Sequence, residues 1–166
     1  MNQNKNRRRS LVNKESKQSK NKIVEDGLLY LDEYKDSHFS QGTKSILIVD
    51  EDEDTRNNVM RVFSENAEFI SVHTAKNVMD FAKVIENSEL DLMIIDSKLS
   101  WVDGFELCTL LREQRRFKTI PIILFLEHSL EEEIKKGFDL GANAYMIKPI
   151  DSKELQVKVE NLLAKS

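Results

Sequence analysis

The chain has 166 residues, 33% of them charged, with a formal net charge of −4 and a single cysteine. That length suits one domain with a real core and is short for two of ordinary size. One cysteine excludes an intrachain disulfide, and no apolar run approaches the length of a membrane span or resembles the core of a signal peptide, so a soluble cytoplasmic protein is expected.

The net charge conceals an asymmetry. Residues 1–22 carry eight Lys/Arg against Glu15 alone, whereas residues 44–166 carry sixteen basic and twenty-three acidic side chains. The first segment, rich in Asn, Ser, Gln and Lys, has too few apolar groups to offset the entropy of ordering and is expected to be disordered. Two readings of this basic arm stand: a solubilising tail, or an electrostatic contact for nucleic acid or another anionic surface. In "IVEDGLLYLDEYK" (23–35), Val24, Leu28 and Leu31 recur at helical spacing, while Gly27 weakens an isolated helix. A short docking helix and a loosely structured linker are both compatible with it. The division expected is an arm and linker over 1–43 and one folded domain over 44–166.

From residue 44 strands and helices alternate. "SILIVD" (45–50) is a short β-branched run bounded by charge, the pattern of a strand buried on both faces. The helix "DTRNNVMRVFSENA" follows, with Val59, Val62 and Phe63 on one face. "EFISVH" (68–73) is a second strand and "AKNVMDFAKVIENS" a second amphipathic helix. "DLMIID" (91–96) is a third strand, followed by a loop and the helix "GFELCTLLREQRR", in which Cys108 reads as a small buried residue. "IPIILFL" (120–126) is the fourth strand, and "SLEEEIKKGFDLG" the next helix, with Ser129 as expected N-cap and Gly141 as its stop. "AYMI" is the fifth strand, and "DSKELQVKVENLLAK" the last helix, capped by Asp151 or Ser152. Five such alternations predict an α/β fold, a doubly wound parallel sheet with five helices on its two faces.

In sheets of this kind ligands sit beyond the carboxyl ends of the strands, at a switch in strand order. There the sequence places Asp50-Glu51-Asp52 after strand one, Asp96 after strand three, Leu126-Glu127 at strand four and Lys148-Pro149 after strand five. Three or more carboxylates and one ammonium are expected to converge. Such carboxylates repel one another unless a cation is present, and an all-oxygen acidic site suits Mg²⁺. His38, His73, His128 and Cys108 share no ligand spacing, so no structural zinc site is expected. The ordinary explanation, that strand ends meet solvent and are therefore charged, accounts for one acid more easily than for the whole set.

At these residues, in "ILIVDEDEDTR", "LMIIDSKLSWVDGFELC", "IPIILFL" and "GANAYMIKPI", the chain resembles the receiver domain of two-component response regulators, over about residues 44–165. The resemblance implies a flavodoxin-like sheet of strand order 2-1-3-4-5. It implies Asp96 as phosphoacceptor, attacking a phosphohistidine on a sensor histidine kinase or histidine phosphotransfer protein. It implies Glu51 as a direct Mg²⁺ ligand, Asp50 acting more through water, and the backbone carbonyl of Lys98 as a further ligand, with Asp52 in reserve should the register slip by one. Lys148 matches the lysine that pairs with the transferred group, aimed by a cis bond to Pro149. Gly104 matches the glycine leading the loop into helix three, and Tyr145 the aromatic that changes rotamer on activation. The family is a phosphoacceptor class, not an enzyme beyond its own Mg²⁺-dependent phosphorylation and dephosphorylation.

Several positions depart from the family. Leu126 stands where Thr or Ser usually donates a hydrogen bond to the phosphoryl group, and Glu127 where a small residue is common. Ser100 replaces a loop proline and is expected to loosen the loop. The Lys98 side chain has three readings: it pairs with the acids, it holds the phosphoryl group, or it is an exposed loop lysine. Trp101 reads as exposed packing on the loop and as a fluorescence reporter.

The leading expectation is a single-domain receiver, monomeric or weakly dimeric. No effector segment follows in the sequence, so its output is expected through protein binding at the fourth helix, fifth strand and fifth helix (about 129–163). The alternative is a pseudo-receiver, a constitutive interaction module that is never productively phosphorylated. Nucleic-acid binding is confined to the basic arm, since no DNA-binding fold is recognisable.

Overall fold

The computed structural model of the chain describes residues 42–65 and 69–165. The basic arm and the 23–35 segment lie outside the described residues, as does the end of the expected first helix. Within them runs the alternation β1 (Lys44–Val49), α1 (Glu53–Ser64), β2 (Ile70–Ala75), α2 (Val78–Asn87), β3 (Leu92–Asp96), α3 (Gly104–Glu113), β4 (Ile122–Leu126), α4 (Glu131–Asp139), β5 (Ala144–Ile147) and α5 (Ser152–Leu163). All pairings are parallel and the order is β2-β1-β3-β4-β5, as expected.

The strand composition follows from burial. Residues 46–49, 92–95 and 122–126 are each at most 1% exposed, so both faces of these strands are covered and near-continuous apolar runs are required. On one face Leu47, Val49, Met93, Ile95, Ile122, Leu124 and Leu126 form a single cluster with Phe81 of α2 and Leu107, Cys108 and Leu111 of α3. The alternate residues, Ile46, Ile48, Ile94, Ile123 and Phe125, point the other way, where α1 and α5 contribute buried Val59, Phe63, Leu155, Val159 and Leu163. Cys108 is fully buried, and desolvation pushes its thiol up to about 12, which makes it inert packing.

Element ends differ from the sequence expectation in ways the hydrogen bonds explain. β2 lies two residues later than expected, because its pairing with β1 continues through Ala75, whose carbonyl accepts from Asp50 N at 3.1 Å. α2 begins at Val78 behind the N-cap Asn77, whose side chain accepts from Asp80 N. α3 stops at Glu113, where the C-cap Gln114 N donates back to Leu111 O. β4 begins after Pro121, which has no N–H for the ladder and offers its carbonyl to Met93 N at 2.9 Å. Ser129 does not cap α4. The N-cap is Leu130, without a side-chain bond, and Glu131, Glu132 and Glu133 instead complement the helix dipole. Asp151 caps α5 through Glu154 N.

Arg112, which the sequence did not single out, ties the sheet end opposite the acids. Its guanidinium donates to the carbonyls of Gly141, Phe117 and Ile120 and to Asn143 Oδ1, all at 2.7–3.0 Å. Gly141 has φ +100°, and a side chain there would collide with Arg112, so its role as helix stop is also one of clearance.

Candidate functional site

The carboxyl ends of β1, β3, β4 and β5 bring one lysine into the middle of three acids. Lys148 Nζ lies 3.0 Å from Asp50 Oδ2, 3.0 Å from Asp96 Oδ2 and 3.7 Å from Glu127 Oε1. The backbone sets this up. Asp50 follows the last residue of the interior strand β1 and is fully buried; Asp96 ends the central strand β3 and is 5% exposed. Lys148 N donates to Leu126 O at 2.9 Å, which extends the β4–β5 ladder to the lysine, and the Lys148–Pro149 bond is cis.

Asp50 is satisfied at one oxygen only. Its Oδ1 accepts from Asp52 N at 2.8 Å, while Oδ2 is buried with no aligned hydrogen bond and has only the ion pair to Lys148. Burial pushes its pKa above the usual carboxylate value; the bond from Asp52 and the ion pair with Lys148 act in the opposite sense but do not cancel it. For Lys148, burial works to lower the pKa, but its close contacts with the carboxylates of Asp50 and Asp96 together raise it. Asp96 accepts from Lys98 N through Oδ1 at 3.2 Å and from Lys148 through Oδ2.

The other members of the expected acid cluster are occupied elsewhere. Asp52 is the N-cap of α1, with Oδ2 accepting from Thr55 N at 2.8 Å and Thr55 Oγ1 at 2.6 Å, so the alternative register is not used. Glu51 is exposed and turns to the β3–α3 loop, where its Oε1 accepts from both the N and the Oγ of Ser100 at 2.7 Å. These bonds hold its carboxyl below the usual range. Ser100 therefore ties the loop instead of loosening it. The expected convergence of carboxylates is replaced, among the described residues, by a lysine-centred group that lacks Glu51, and no three acids are gathered to hold a metal. The Lys98 side chain is exposed and pairs with none of the acids among the described residues.

Arg56 was missed. Its Nη1 donates to the carbonyls of Asp50 at 2.9 Å and Glu51 at 2.8 Å, pinning the β1–α1 turn. A cation in the first turn of a helix opposes the dipole, and that unfavourable placement was the available signal.

Leu126 is fully buried on the sheet face that receives α4, lining a narrow gap with Ile134, Gly137, Phe138 and Tyr145. Tyr145 is half-buried and meets Phe138 edge-on, with centroids 5.9 Å apart. Trp101 is half-buried, not exposed: its ring lies 5.8 Å from that of Phe81 and its Nε1 is buried without a partner. Gly104 owes its identity to proximity, since a Cβ there would lie 2.1 Å from Asp96 O.

In kind, the donors fit Mg²⁺. Asp50, Glu51, Asp96 and the Lys98 carbonyl offer hard oxygens, and the buried Oδ2 of Asp50 lacks an aligned donor.

A model of the response regulator receiver domain matches residues 46–160. The transcriptional regulatory protein GltR of Pseudomonas aeruginosa is 32% identical over 127 residues, 76% of this chain and 52% of that protein. The alkaline phosphatase synthesis transcriptional regulatory protein PhoP of Bacillus subtilis is 31% identical over 125 residues, 74% of this chain and 50% of that protein. The chain thus spans about half the length of these curated relatives. A response regulator structure from Chloroflexus aurantiacus superposes with TM-score 0.67 at 30% identity, over 74% of this chain and 98% of that one.

Proposed function

Because the chain belongs to the response regulator receiver domain family, we propose that it accepts a phosphoryl group on Asp96 from a phosphohistidine of a sensor histidine kinase or phosphotransfer protein. The supporting observation is the placement of Lys148 Nζ 3.0 Å from both Asp50 and Asp96 at the strand ends. It belongs to two-component signalling as a phosphoacceptor, with no substrate turnover of the ordinary enzymatic kind.

In this reading a carboxylate oxygen of Asp96 attacks the phosphorus in line, the P–N bond breaks, the imidazole leaves with the electron pair, and an acyl phosphate forms on Asp96. A carboxylate is a poor nucleophile toward a phosphoryl dianion because like charges repel. Lys148 lowers that barrier, moving from the carboxylate to the arriving phosphoryl oxygens. Asp50 keeps the ammonium in position while it does so. Mg²⁺, held by Asp50, Glu51, Asp96 and the Lys98 carbonyl, would supply the remaining countercharge.

The signal leaves by protein–protein contact at the α4–β5–α5 face, where Leu130, Phe138 and Val157 are exposed apolar groups. No helix of the described residues is long and apolar enough to cross a membrane, and we place the protein in the cytoplasm with its kinase. The basic arm and its boundary near residue 43 form part of the same reading, with the arm a tail outside the phosphoryl chemistry.

The test is incubation with Mg²⁺ and phosphoramidate or a cognate phosphohistidine donor, following phosphate incorporation. The parent should incorporate phosphate and Asp96→Asn should not; parent and mutant alike at background would end this reading.

One observation favours the second reading, a constitutive interaction module. Leu126 is fully buried and offers no hydroxyl, so a phosphoryl group on Asp96 has no side-chain donor at that position of β4. A hydrogen bond to a charged group contributes about 1.5–3 kcal/mol, and its loss reduces the preference for an active state by about ten- to a hundredfold. Leu126→Thr should therefore strengthen the coupling between phosphorylation and partner binding, read as the ratio of partner affinities with and without phosphate. An unchanged ratio removes this account of Leu126.

A further inference from the structure

We propose that Ser100 is a latch on Glu51 that competes with the divalent cation and so sets the metal affinity of the pocket. The inference rests on the reading of Asp50, Glu51 and Asp96 as an Mg²⁺ site and adds a residue that this reading does not use.

Both hydrogen bonds converge on one oxygen. Ser100 N and Ser100 Oγ each lie 2.7 Å from Glu51 Oε1, across a sequence separation of forty-nine residues. Among the described residues, no other side chain bonds to this carboxylate. Its backbone is fixed independently, because Arg56 Nη1 holds the carbonyls of Asp50 and Glu51. The main chain of residue 51 thus stays near the pocket while its side chain leans across to the β3–α3 loop. With Glu51 so engaged, no three of the described acids are arranged to hold a metal. To join Asp50 and Asp96 at a cation, the Glu51 carboxylate must exchange its Ser100 donors for metal coordination. That exchange subtracts from the binding free energy, as any competing intramolecular ligand does.

Residue type matters at position 100. Serine supplies two donors to one acceptor; proline has neither an N–H nor a hydroxyl and cannot form the latch. Alanine keeps the N–H and removes only the hydroxyl, and threonine keeps both. This ordering makes the latch adjustable by single substitutions in an exposed loop residue that does not touch Asp96.

The latch also joins the metal pocket to Trp101. Trp101 follows Ser100 directly and packs 5.8 Å from the Phe81 ring of α2, with Nε1 buried and unpartnered. Release of Ser100 by Glu51 frees the residue next to the indole. Metal binding is therefore read by the emission of Trp101, the single tryptophan of the chain.

The experiment titrates Mg²⁺ into the full chain in the absence of any phosphodonor, following Trp101 emission and, in parallel, calorimetric heat. Parent, Ser100→Ala, Ser100→Pro, Ser100→Thr and Asp50→Asn are compared, with thermal melts to establish that each is folded. Charge-assisted bonds of this kind, in an exposed setting, lead us to expect Ser100→Ala to bind roughly threefold tighter and Ser100→Pro roughly tenfold tighter, with Ser100→Thr like the parent. Equal or weaker binding by both Ser100→Ala and Ser100→Pro, with the parent binding normally, overturns the latch and leaves the metal site standing. A different result, in which the parent itself shows no binding beyond Asp50→Asn, overturns the metal reading and the latch with it. Ser100→Ala is the variant that keeps the test decisive should the proline strain the loop.

Discussion

Gly104→Ala should lower the stability of the folded domain by about 3 kcal/mol or more, a large effect for the addition of one methyl group. A Cβ at this position would sit 2.1 Å from Asp96 O, 2.7 Å from Ser97 Cα and 2.9 Å from Asp96 C. All three obstacles are backbone, so no rotamer change relieves the clash. Gly104 N also donates to Ser97 O at 3.0 Å, and Asp103 caps α3 through Phe105 N at 2.7 Å, which holds the helix start against the end of β3 from both sides. Either α3 must lift or Asp96 must move. Urea denaturation of parent and variant measures the change through the shift in midpoint. A loss below about 1 kcal/mol would mean that the loop yields easily, contrary to this account. Because the obstacle is the backbone of Asp96 itself, the surviving folded fraction should also accept phosphate more slowly.

Lys148→Met is expected to reduce the rate of phosphate uptake from phosphoramidate by about 10²–10³-fold, the usual scale for removing one preorganised charge partner from a reacting anion. Lys148→Arg should recover only part of the rate, since the planar guanidinium cannot occupy the same point between Asp50 and Asp96. Stability should fall too. With the ammonium gone, the fully buried Asp50 and the 5%-exposed Asp96 face each other unpaired. The cost at neutral pH is about 2 kcal/mol, below the full value for breaking a buried pair because the lysine is partly exposed. The sign with pH follows from Asp50. Its folded pKa is already raised by burial, so its ionisation opposes folding in full above that pKa, and the opposition declines as pH falls from there to the ordinary carboxylate value. The penalty of Lys148→Met should therefore shrink as pH falls through the raised Asp50 pKa. A penalty constant with pH would indicate lost packing alone.

The fold was legible because both signals it depends on are local. Runs such as Ile46–Val49 and Ile122–Leu126, buried on both faces, can only be interior strands, and beyond them Gly141 marks the stop of α4 and Asp151 the start of α5. Boundaries were less legible where pairing decides them. β2 is displaced because Ala75 completes the ladder beside Asp50, and nothing in "EFISVHTA" marks that end. At the site, the strand-end positions of Asp50, Asp96 and Lys148 follow from the alternation, and their meeting follows from the sheet order. What the sequence did not disclose is how each carboxylate spends its hydrogen bonds. Asp52 caps α1, Glu51 is held by Ser100 and Glu127 approaches Lys148, and each depends on a rotamer chosen by a partner distant in the chain. Trp101 was misjudged for the same reason, because Phe81 that covers it lies on another helix.

The most direct measurement is the location of the phosphoryl group. After incubation with Mg²⁺ and a phosphodonor, the acyl phosphate is trapped by borohydride reduction and the peptides are sequenced by mass spectrometry. The account predicts conversion of Asp96, in the peptide spanning "IIDSK", to homoserine, with no conversion in Lys148→Met above a small residue of the parent signal. Conversion at Asp50, Glu51 or Asp52 in place of Asp96, or at none of them with a cognate phosphohistidine donor, would contradict it.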